Sequence, residues 1–467
     1  MFDNAVLEEI KKLKKENEKV VNISDYPSWI YVYRNEKKVK VPELARTIMK
    51  EVPMIRCAEL MQGGRFDKIK GFWRMEDLSD YMDKYITNKL DKEKLWNTKY
   101  LNNTKTFLMS QIFNENLFES PFHNSKPELV NFNNGTYNIL TGEMKKHNPL
   151  DYIGQTHNYG ISPDKMKFPV KTIQWLEEMT ADKKSAQYLF ELIGYCFYRS
   201  YEPFQNFTIL QGGGGNGKST FINHLTDIIG ERNVSNASLA DIADGNNRFA
   251  KSMLFQKEVN AFADIDSSFL KSTSIIKALT GWDKIFAEYK GRDPFMFKNF
   301  AKLIFSANKL PAFNDFTEGF KRRVNIVEFP HKLDDEFKKK YDLSAIKAEI
   351  PDFTLFCMNE FKKAYERGYM TESESMKQAK DKWLKESNHV ERFIDEYCDI
   401  DKTSEEGVSS RLVYEKYKDY CFDESVKALS QPNFTKELES MGIFRKQSRI
   451  DGIKARRYIH LSLKTDI

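Results

Sequence analysis

Apolar positions change their period several times along the 467 residues. Residues 5–20 space Val6, Ile10 and Leu13 at helical intervals among lysines and glutamates. That spacing predicts a charged amphipathic helix, solvated or docking, with a short coiled-coil contact as the alternative. Residues 25–200 are mixed. Within them, residues 131–143 carry a short apolar run with turn residues at both ends, the pattern of a β-hairpin. From 170 to 200 the period is helical, with Trp175, Leu176, Met179, Leu189, Leu192 and Ile193 as packing residues. At Gln205 the texture changes, and Asn206, Phe207, Thr208, Ile209 and Leu210 give a short buried-strand signal that runs into a glycine cluster. Strand and helix signals then alternate to Pro330, as a three-layer α/β domain requires. Residues 334–397 read as helical and lysine-rich. Beyond them the pattern predicts two or three helices and a strand pair, 444–449 and 455–463, turning at Asp451-Gly452.

Composition narrows this picture. The length suggests about three domains, and 40% apolar with 30% charged residues excludes disorder as the main state. No run of about 18 uncharged apolar residues occurs, so no membrane partner or span is expected. The first residues lack a secretory layout. Five scattered cysteines (Cys57, Cys196, Cys357, Cys398, Cys421) include no CxxC pair, which argues against disulfides or zinc and for a reducing, cytoplasmic setting. The net charge of +5 decides little, but residues 443–467 hold seven basic residues against two acids. That excess is the kind that meets nucleic acid.

The chemistry concentrates after Gln211. Gly212, Gly213, Gly214, Gly215, Asn216, Gly217, Lys218 and Ser219 fit G-x-x-x-x-G-K-[ST], with Thr220 opening a helix. Glycines let backbone N–H groups turn toward phosphate, and the helix adds its positive end. Lys218 would reach the β and γ phosphates and Ser219 would ligate Mg²⁺, which makes the loop an ATP site. Residues 259–266 read as a strand ending in acids. Asp264 would hold the metal or polarise the attacking water, and Asp266 would either support the metal or cap a helix from Ser267. Residues 302–308 are another strand, ending in Asn308, which can orient the water or simply form a turn. Arg322 and Arg323 follow, where a guanidinium reaching a neighbour's ATP would act as an arginine finger. Between these strands, alternation around Gly291 to Pro294 predicts a protruding hairpin with Lys290 and Arg292 at its tip, able to grip a single strand's phosphates.

This ordered set resembles the superfamily 3 helicases, most closely the phage and plasmid group that includes the poxvirus primase-helicase. The matching stretches are GGGGNGKST, NAFADID, IIKALTGWDKIFAEYKGRDPF, KLIFSANKLP and GFKRRVNIVEF, with LVNFNNGTYNILTGEMKKHNP similar to the domain that precedes the helicase. The resemblance implies a multidomain α/β chain. Residues 1–200 would form an α+β and helical collar, 201–375 an AAA+ ATPase core, and 376–467 a winged helix that binds origin DNA. It implies a homohexameric ring that cleaves ATP between subunits and moves 3′→5′ on single-stranded DNA. Lys218, Ser219, Asp264 and Asn308 would then act in cis, Arg322 or Arg323 in trans, and Lys290 would track DNA. Lys277 matches another recurring basic position. Trp282 departs from the group, which usually has a second Gly there, and should stiffen the hairpin base.

In the winged helix, residues 431–441 are the recognition-helix candidate, offering Gln431, Asn433, Thr435 and Lys436. Arg445, Lys446, Arg449, Lys454, Arg456 and Arg457 flank the wing. No Asp-x-Asp with a downstream His in a suitable strand context precedes the helicase motifs, so primase activity is not expected and a separate host or element-encoded primase is an expected partner. The chain is similar to replication initiators of phages and bacterial pathogenicity islands, which points to a bacterial host cell. Competing readings are a ring that remodels or loads replication proteins without unwinding, and an RNA-directed ATPase.

Overall fold

The computed structural model describes residues 26–56, 63–114, 121–122, 126–265, 273–291, 293–313, 315, 317–401, 407–424, 426–450 and 453–464, with backbone alone at 448–450 and 453–455. The helix expected over 5–20, Asp266, Arg292, the Asp451-Gly452 turn and the side chains of Arg449 and Lys454 lie outside the described residues. The chain is mixed α/β and forms two compact units, one from residues 1–126 and 145–156, the other from 127–144 and 157–467.

The first unit opens with a free-standing antiparallel hairpin, β1 (Ile30–Tyr33) and β2 (Glu36–Val39), whose turn places Arg34 and Asn35 at φ +52° and +62°. That left-handed pair is the tight turn whose twist suits a two-residue hairpin. Helix α1 (Val41–Glu51) follows, then a three-stranded antiparallel sheet of β3 (Met54–Ile55), β4 (Gly64–Asp67) and β5 (Phe72–Met75). Helices α2 (Leu78–Lys92) and α3 (Thr98–Gln111) complete the unit, each begun by a side-chain cap, Asp77 and Asn97. Their apolar faces meet α1 through Leu44, Ile48, Met82, Ile86 and Leu108, all buried.

The second unit begins with the expected hairpin, β6 (Leu129–Phe132) and β7 (Gly135–Asn138), turning at Asn133 and Asn134. Helices α4 (Val170–Met179) and α5 (Lys183–Cys196) come next, α5 capped by Asp182 accepting from the Ser185 N–H at 2.8 Å. Both helices share one core with α13, introduced below. The structure therefore divides the 1–200 span instead of closing a domain at 200. The reason is that the apolar stripes of α4 and α5 find their partner beyond residue 340.

The central sheet has five strands, β8 (Phe207–Gln211), β9 (Val234–Ser235), β10 (Val259–Phe262), β13 (Lys302–Ala307) and β14 (Val324–Glu328), all parallel in the order β9-β10-β13-β8-β14. β13 is buried at all six positions, as strands covered on both faces must be. Between the strands lie α6 (Lys218–Ile229), α7 (Leu239–Ala243), α8 (Arg248–Ser252), α9 (Ser274–Thr280), the hairpin β11 (Lys284–Ala287) and β12 (Phe295–Lys298), and α10 (Glu318–Lys321). Five helices follow, α11 (Asp335–Lys340), α12 (Leu343–Ala348), α13 (Ile350–Arg367), α14 (Glu374–Ser387) and α15 (His389–Tyr397). α13 packs so closely on α5 that a Cβ at Gly194 would meet the Cys357 carbonyl oxygen at 2.1 Å.

The C-terminal part adds β15 (Cys398–Ile400), β16 (Gly407–Ser409), α16 (Ser410–Asp423), α17 (Gln431–Ser440), β17 (Arg445–Ile450), β18 (Ile453–Ile459) and β19 (Leu461–Leu463). β18 pairs with β16 and β17, and β19 pairs separately with β15, so the second expected strand is split at His460, whose φ is +65°. Among the described residues no helix is long and apolar enough to cross a membrane.

One buried group gives the core a measurable signature. His224 on α6 is 4% exposed, its ring edge-on to Trp175 at 5.3 Å. Burial pulls its pKa down to about 4, Asp227 opposing and Lys347 assisting. The unfolded chain therefore takes up this proton first, and the stability is complete above pH 6.5 and lost as pH falls toward 4. Relative to His224→Phe, the wild-type unfolding free energy is expected to drop by about 1.4 kcal/mol per pH unit inside that window. Denaturant titrations of both proteins at pH 7, 6 and 5 read this difference directly.

Candidate active site

Three neighbouring strands of the sheet, β10, β13 and β8, end side by side. Their exits are tied together, because the Gly212 N–H donates to the Ala307 carbonyl at 3.2 Å and the Ile265 N–H to the Ser306 carbonyl at 2.7 Å. After β8 the chain curls through Gly214, Gly215 and Gly217, all at positive φ. A Cβ at Gly217 would strike Met179 Sδ at 2.6 Å and Leu333 Cδ1 at 2.7 Å, whereas Gly213 and Gly214 border open space. Helix α6 then starts with no side-chain cap and no acid in its first turn, so its leading N–H groups face that space. Ser219 is exposed there, Thr220 half-buried and Asn216 buried.

Lys218 is only 7% exposed. Its ammonium donates to the Gly212 carbonyl at 2.6 Å and to Asn308 Oδ1 at 3.2 Å, with Asn216 Oδ1 at 3.5 Å. The Asn308 amide Nδ2 in turn donates to Asp264 Oδ1 at 3.0 Å. Asp264 sits just past β10 at φ +59°, its own N–H held by Ser306 Oγ at 2.9 Å. Burial lowers the Lys218 pKa and the Asp264 charge works against that shift. The result is a fixed cation, a bridging amide and an exposed carboxylate in a row across three strand ends, facing a glycine-lined cradle.

Mg²⁺ with a nucleoside triphosphate fits this donor set. Ser219 and Asp264 offer one hydroxyl and one carboxylate, and a magnesium ion completes its shell with phosphate and water. Among the described residues no group of three or more His, Cys, Asp or Glu gathers, and such a partly hydrated ion needs none. Beside Gly215 lies a cavity of about 430 Å³ between the α4–α5 junction and the start of α11, lined by Glu178, Thr180, Asp182, Lys332, Leu333 and Phe337 among others. The Leu333 N–H donates to the Gly215 carbonyl at 2.9 Å, which joins the cavity wall to the cradle.

The two arginines separate clearly. Arg323 is 9% exposed. Its guanidinium donates to Thr280 Oγ1 at 3.1 Å, to Gln205 Oε1 at 3.2 Å and to the Gly319 carbonyl. Burial lowers its pKa, with Arg322 adding to the effect. Arg322 is exposed and, among the described residues, is held by Gln205 at 2.9 Å. Lys277 is paired with Asp315 at 2.7 Å, which occupies it within the protein.

The hairpin β11–β12 presents Lys290 exposed at its tip. Trp282, at its base, takes φ +66°, the left-handed backbone that glycine adopts without cost. The indole packs against the core and stands 5.4 Å from Lys298 Nζ, a cation–π contact that braces the departing strands.

Sequence comparisons divide the chain into three matched stretches. Residues 210–323 match a family described as of unknown function, DUF5906. Residues 55–181 match the D5 N terminal like family, and residues 385–466 the Poxvirus D5 protein-like family. The two D5 matches support a place for the chain among the phage and poxvirus D5-like primase-helicases. Two apo structures of the NrS-1 C terminal region are similar over 89% of this chain and 99% and 98% of theirs. Their identities are 12% and 13% and their TM-scores 0.48 and 0.44. No curated protein matches the chain in sequence. For a D5-like primase-helicase the coarse assignment is a nucleotide-hydrolysing enzyme of DNA replication.

In the part of this D5-like chain that matches the poxvirus family, α17 exposes Gln431, Asn433 and Lys436. Thr435, expected among the contact residues, is instead buried and hydrogen-bonded to the Tyr458 hydroxyl at 2.9 Å, because the helix phase turns it toward β18. On the adjoining strands Lys446 and Arg456 are exposed, Arg445 and Arg457 half-buried, and Lys446 stands directly across from Arg457. Like charges opposed in this way repel.

Sequence reasoning missed Gln205, which holds both arginines, Ser306, which fixes Asp264, and the loops that line the cavity. Ser306 carried a weak signal, lying two residues before Asn308. The other partners come from distant segments and carried none. Arg323→Ala removes a buried guanidinium and is expected to lower the unfolding free energy by about 2–4 kcal/mol, whereas Arg322→Ala should stay within about 0.5 kcal/mol. Denaturant unfolding of the two variants checks the contrast, and equal losses would contradict it.

Proposed function

We propose that this protein is an ATP-dependent DNA helicase and replication initiator, with an AAA+ type core, that works as a homohexameric ring moving 3′→5′ on single-stranded DNA. The observation that carries the reading is the hydrogen-bonded row Lys218–Asn308–Asp264 at the ends of adjacent parallel strands, opposite an uncapped helix start. In-line attack of water on a γ-phosphorus builds charge on its equatorial oxygens while the bond to the leaving diphosphate breaks. Lys218 meets that charge as a fixed cation. The cradle's N–H groups hold the phosphates, and Asn308 positions the water while Asp264 accepts a hydrogen bond from it. Ser219 and Asp264 would hold Mg²⁺, which would supply Lewis-acid polarisation of the phosphate oxygens. The cavity between residues 177–183 and 331–337 would take the base. Arg322, exposed and singly held, is the residue free to reach a neighbour's nucleotide. The sheet order, with β8 between β13 and β14, supports the AAA+ reading.

Lys290 on the braced hairpin would grip DNA phosphates, and Trp282 would keep the tip from folding back. Residues 389–463 have the helix and strand order of a winged helix, with α17 as its reading helix and β17–β18 as its wing. Placing Lys446 opposite Arg457 costs stability in the free protein and suits a phosphate between them.

Lys218→Ala is expected to reduce single-strand-stimulated ATP hydrolysis at least about a hundredfold, by removing a transition-state charge contact, and to stop unwinding of a forked duplex. Lys290→Ala should keep ATP hydrolysis and lose unwinding. A wild-type protein that hydrolyses ATP on DNA without unwinding a forked duplex would favour a ring that remodels or loads other proteins, and a Lys290→Ala protein that unwinds normally would remove Lys290 from the DNA grip. Unwinding by Lys218→Ala would overturn the assignment.

A further inference from the structure

We infer that the hairpin Ile30–Val39 in the first unit is a second binding site for single-stranded nucleic acid, one that stacks bases on Tyr31 and Tyr33. The hairpin lies outside all three matched stretches and pairs with no other sheet. Ile30 and Val39 face each other and are buried, which anchors one face. Alternation along the strands then points Tyr31 and Tyr33 to the opposite face. Tyr31 is 39% exposed and Tyr33 is 51% exposed, so both rings present a face to solvent.

The charge around these rings selects the occupant. Lys38 stands opposite Tyr31, and its Nζ lies 5.3 Å from the Tyr33 ring centroid. Lys40 Nζ lies 5.9 Å from the Tyr31 centroid, and the Arg34 guanidinium 5.3 Å from that of Tyr33. Lys37 is exposed on the other face. Glu36 is the one acid between residues 30 and 40, and it is paired with Lys38 at 3.6 Å. A ligand that neutralises several cations spaced along a strand while offering flat π faces is a polynucleotide with unpaired bases. The rings are two residues apart, about 7 Å along the strand, which gives each one room for a base. Duplex DNA keeps its bases inside the stack and cannot use the tyrosines. The rigid turn at Arg34 and Asn35 holds the platform out.

This site is independent of the ATP cradle, so its test uses the full-length protein without nucleotide. A bromodeoxyuridine-substituted oligothymidylate is crosslinked by ultraviolet light and the attached peptide is sequenced. Affinity is followed by fluorescence anisotropy across a salt series. The crosslink is expected on the peptide that carries Tyr31 and Tyr33. Tyr31→Ala/Tyr33→Ala should bind about tenfold or more weakly, and Tyr31→Phe/Tyr33→Phe, which keeps the rings, should bind as wild type. Arg34→Gln/Lys38→Gln/Lys40→Gln should lower the salt slope by about 2, the share of three phosphate contacts on a single strand. ATP hydrolysis without DNA should be unchanged in all three. Crosslinks confined to other segments, with affinity and slope unaltered, would overturn the inference. So would a loss of self-association with DNA affinity intact, since the hairpin would then be a contact between copies of the chain.

Discussion

An ammonium taken out of water has to be met by oxygen. Lys218 is nearly buried, and the carbonyl and amide oxygens that receive it come from the end of one strand and the end of its neighbour. That requirement fixes the rest. The strands must finish level, so β8 and β13 run in register and the Gly212 N–H closes onto the Ala307 carbonyl. The residue after β13 must be an amide, because only an amide can accept from the cation with its oxygen and donate to a carboxylate with its nitrogen. A second carboxylate there would leave Asp264 without its donor, and an alcohol is too short to bridge both.

The same logic governs what is left outside. One arginine of a neighbouring pair is locked into its own fold by Thr280, Gly319 and Gln205, and the other is left in solvent with a single partner. A pair arranged like this gives the exposed side chain a rigid base. Trp282 does comparable work for the hairpin. It accepts a backbone conformation that costs on the order of 1 kcal/mol for a bulky residue, and the packed indole fixes the direction in which β11 leaves.

Much of this was legible in the sequence where the determinants are local. A glycine cluster between a buried strand and a helix announces itself, and so do short apolar runs ending in Asp264 and Asn308. The hairpins at 131–143 and 283–298 declare themselves by alternation and turn residues. What could not be read depends on distant partners. Arg322 and Arg323 are indistinguishable until Thr280 and the Gly319 carbonyl arrive beside one of them. Thr435 looks available until β18 covers it. Helices α4 and α5 have clear apolar stripes, yet nothing local says that they join α13 and not the N-terminal unit. The aromatic residues at 31 and 33 read as ordinary strand formers, and only the burial of Ile30 and Val39 shows which way they face.

We propose that each hydrolytic site combines Lys218, Asn308 and Asp264 of one subunit with Arg322 of the next. Mixing two inactive proteins, Lys218→Ala and Arg322→Ala, tests it most directly by steady-state ATP hydrolysis in the presence of single-stranded DNA. Shared sites predict recovery of activity on mixing, because some junctions then bring an intact Lys218 to an intact Arg322. If no ratio of the two restores hydrolysis while mixed assemblies demonstrably form, the sites are complete within single subunits and the account is wrong.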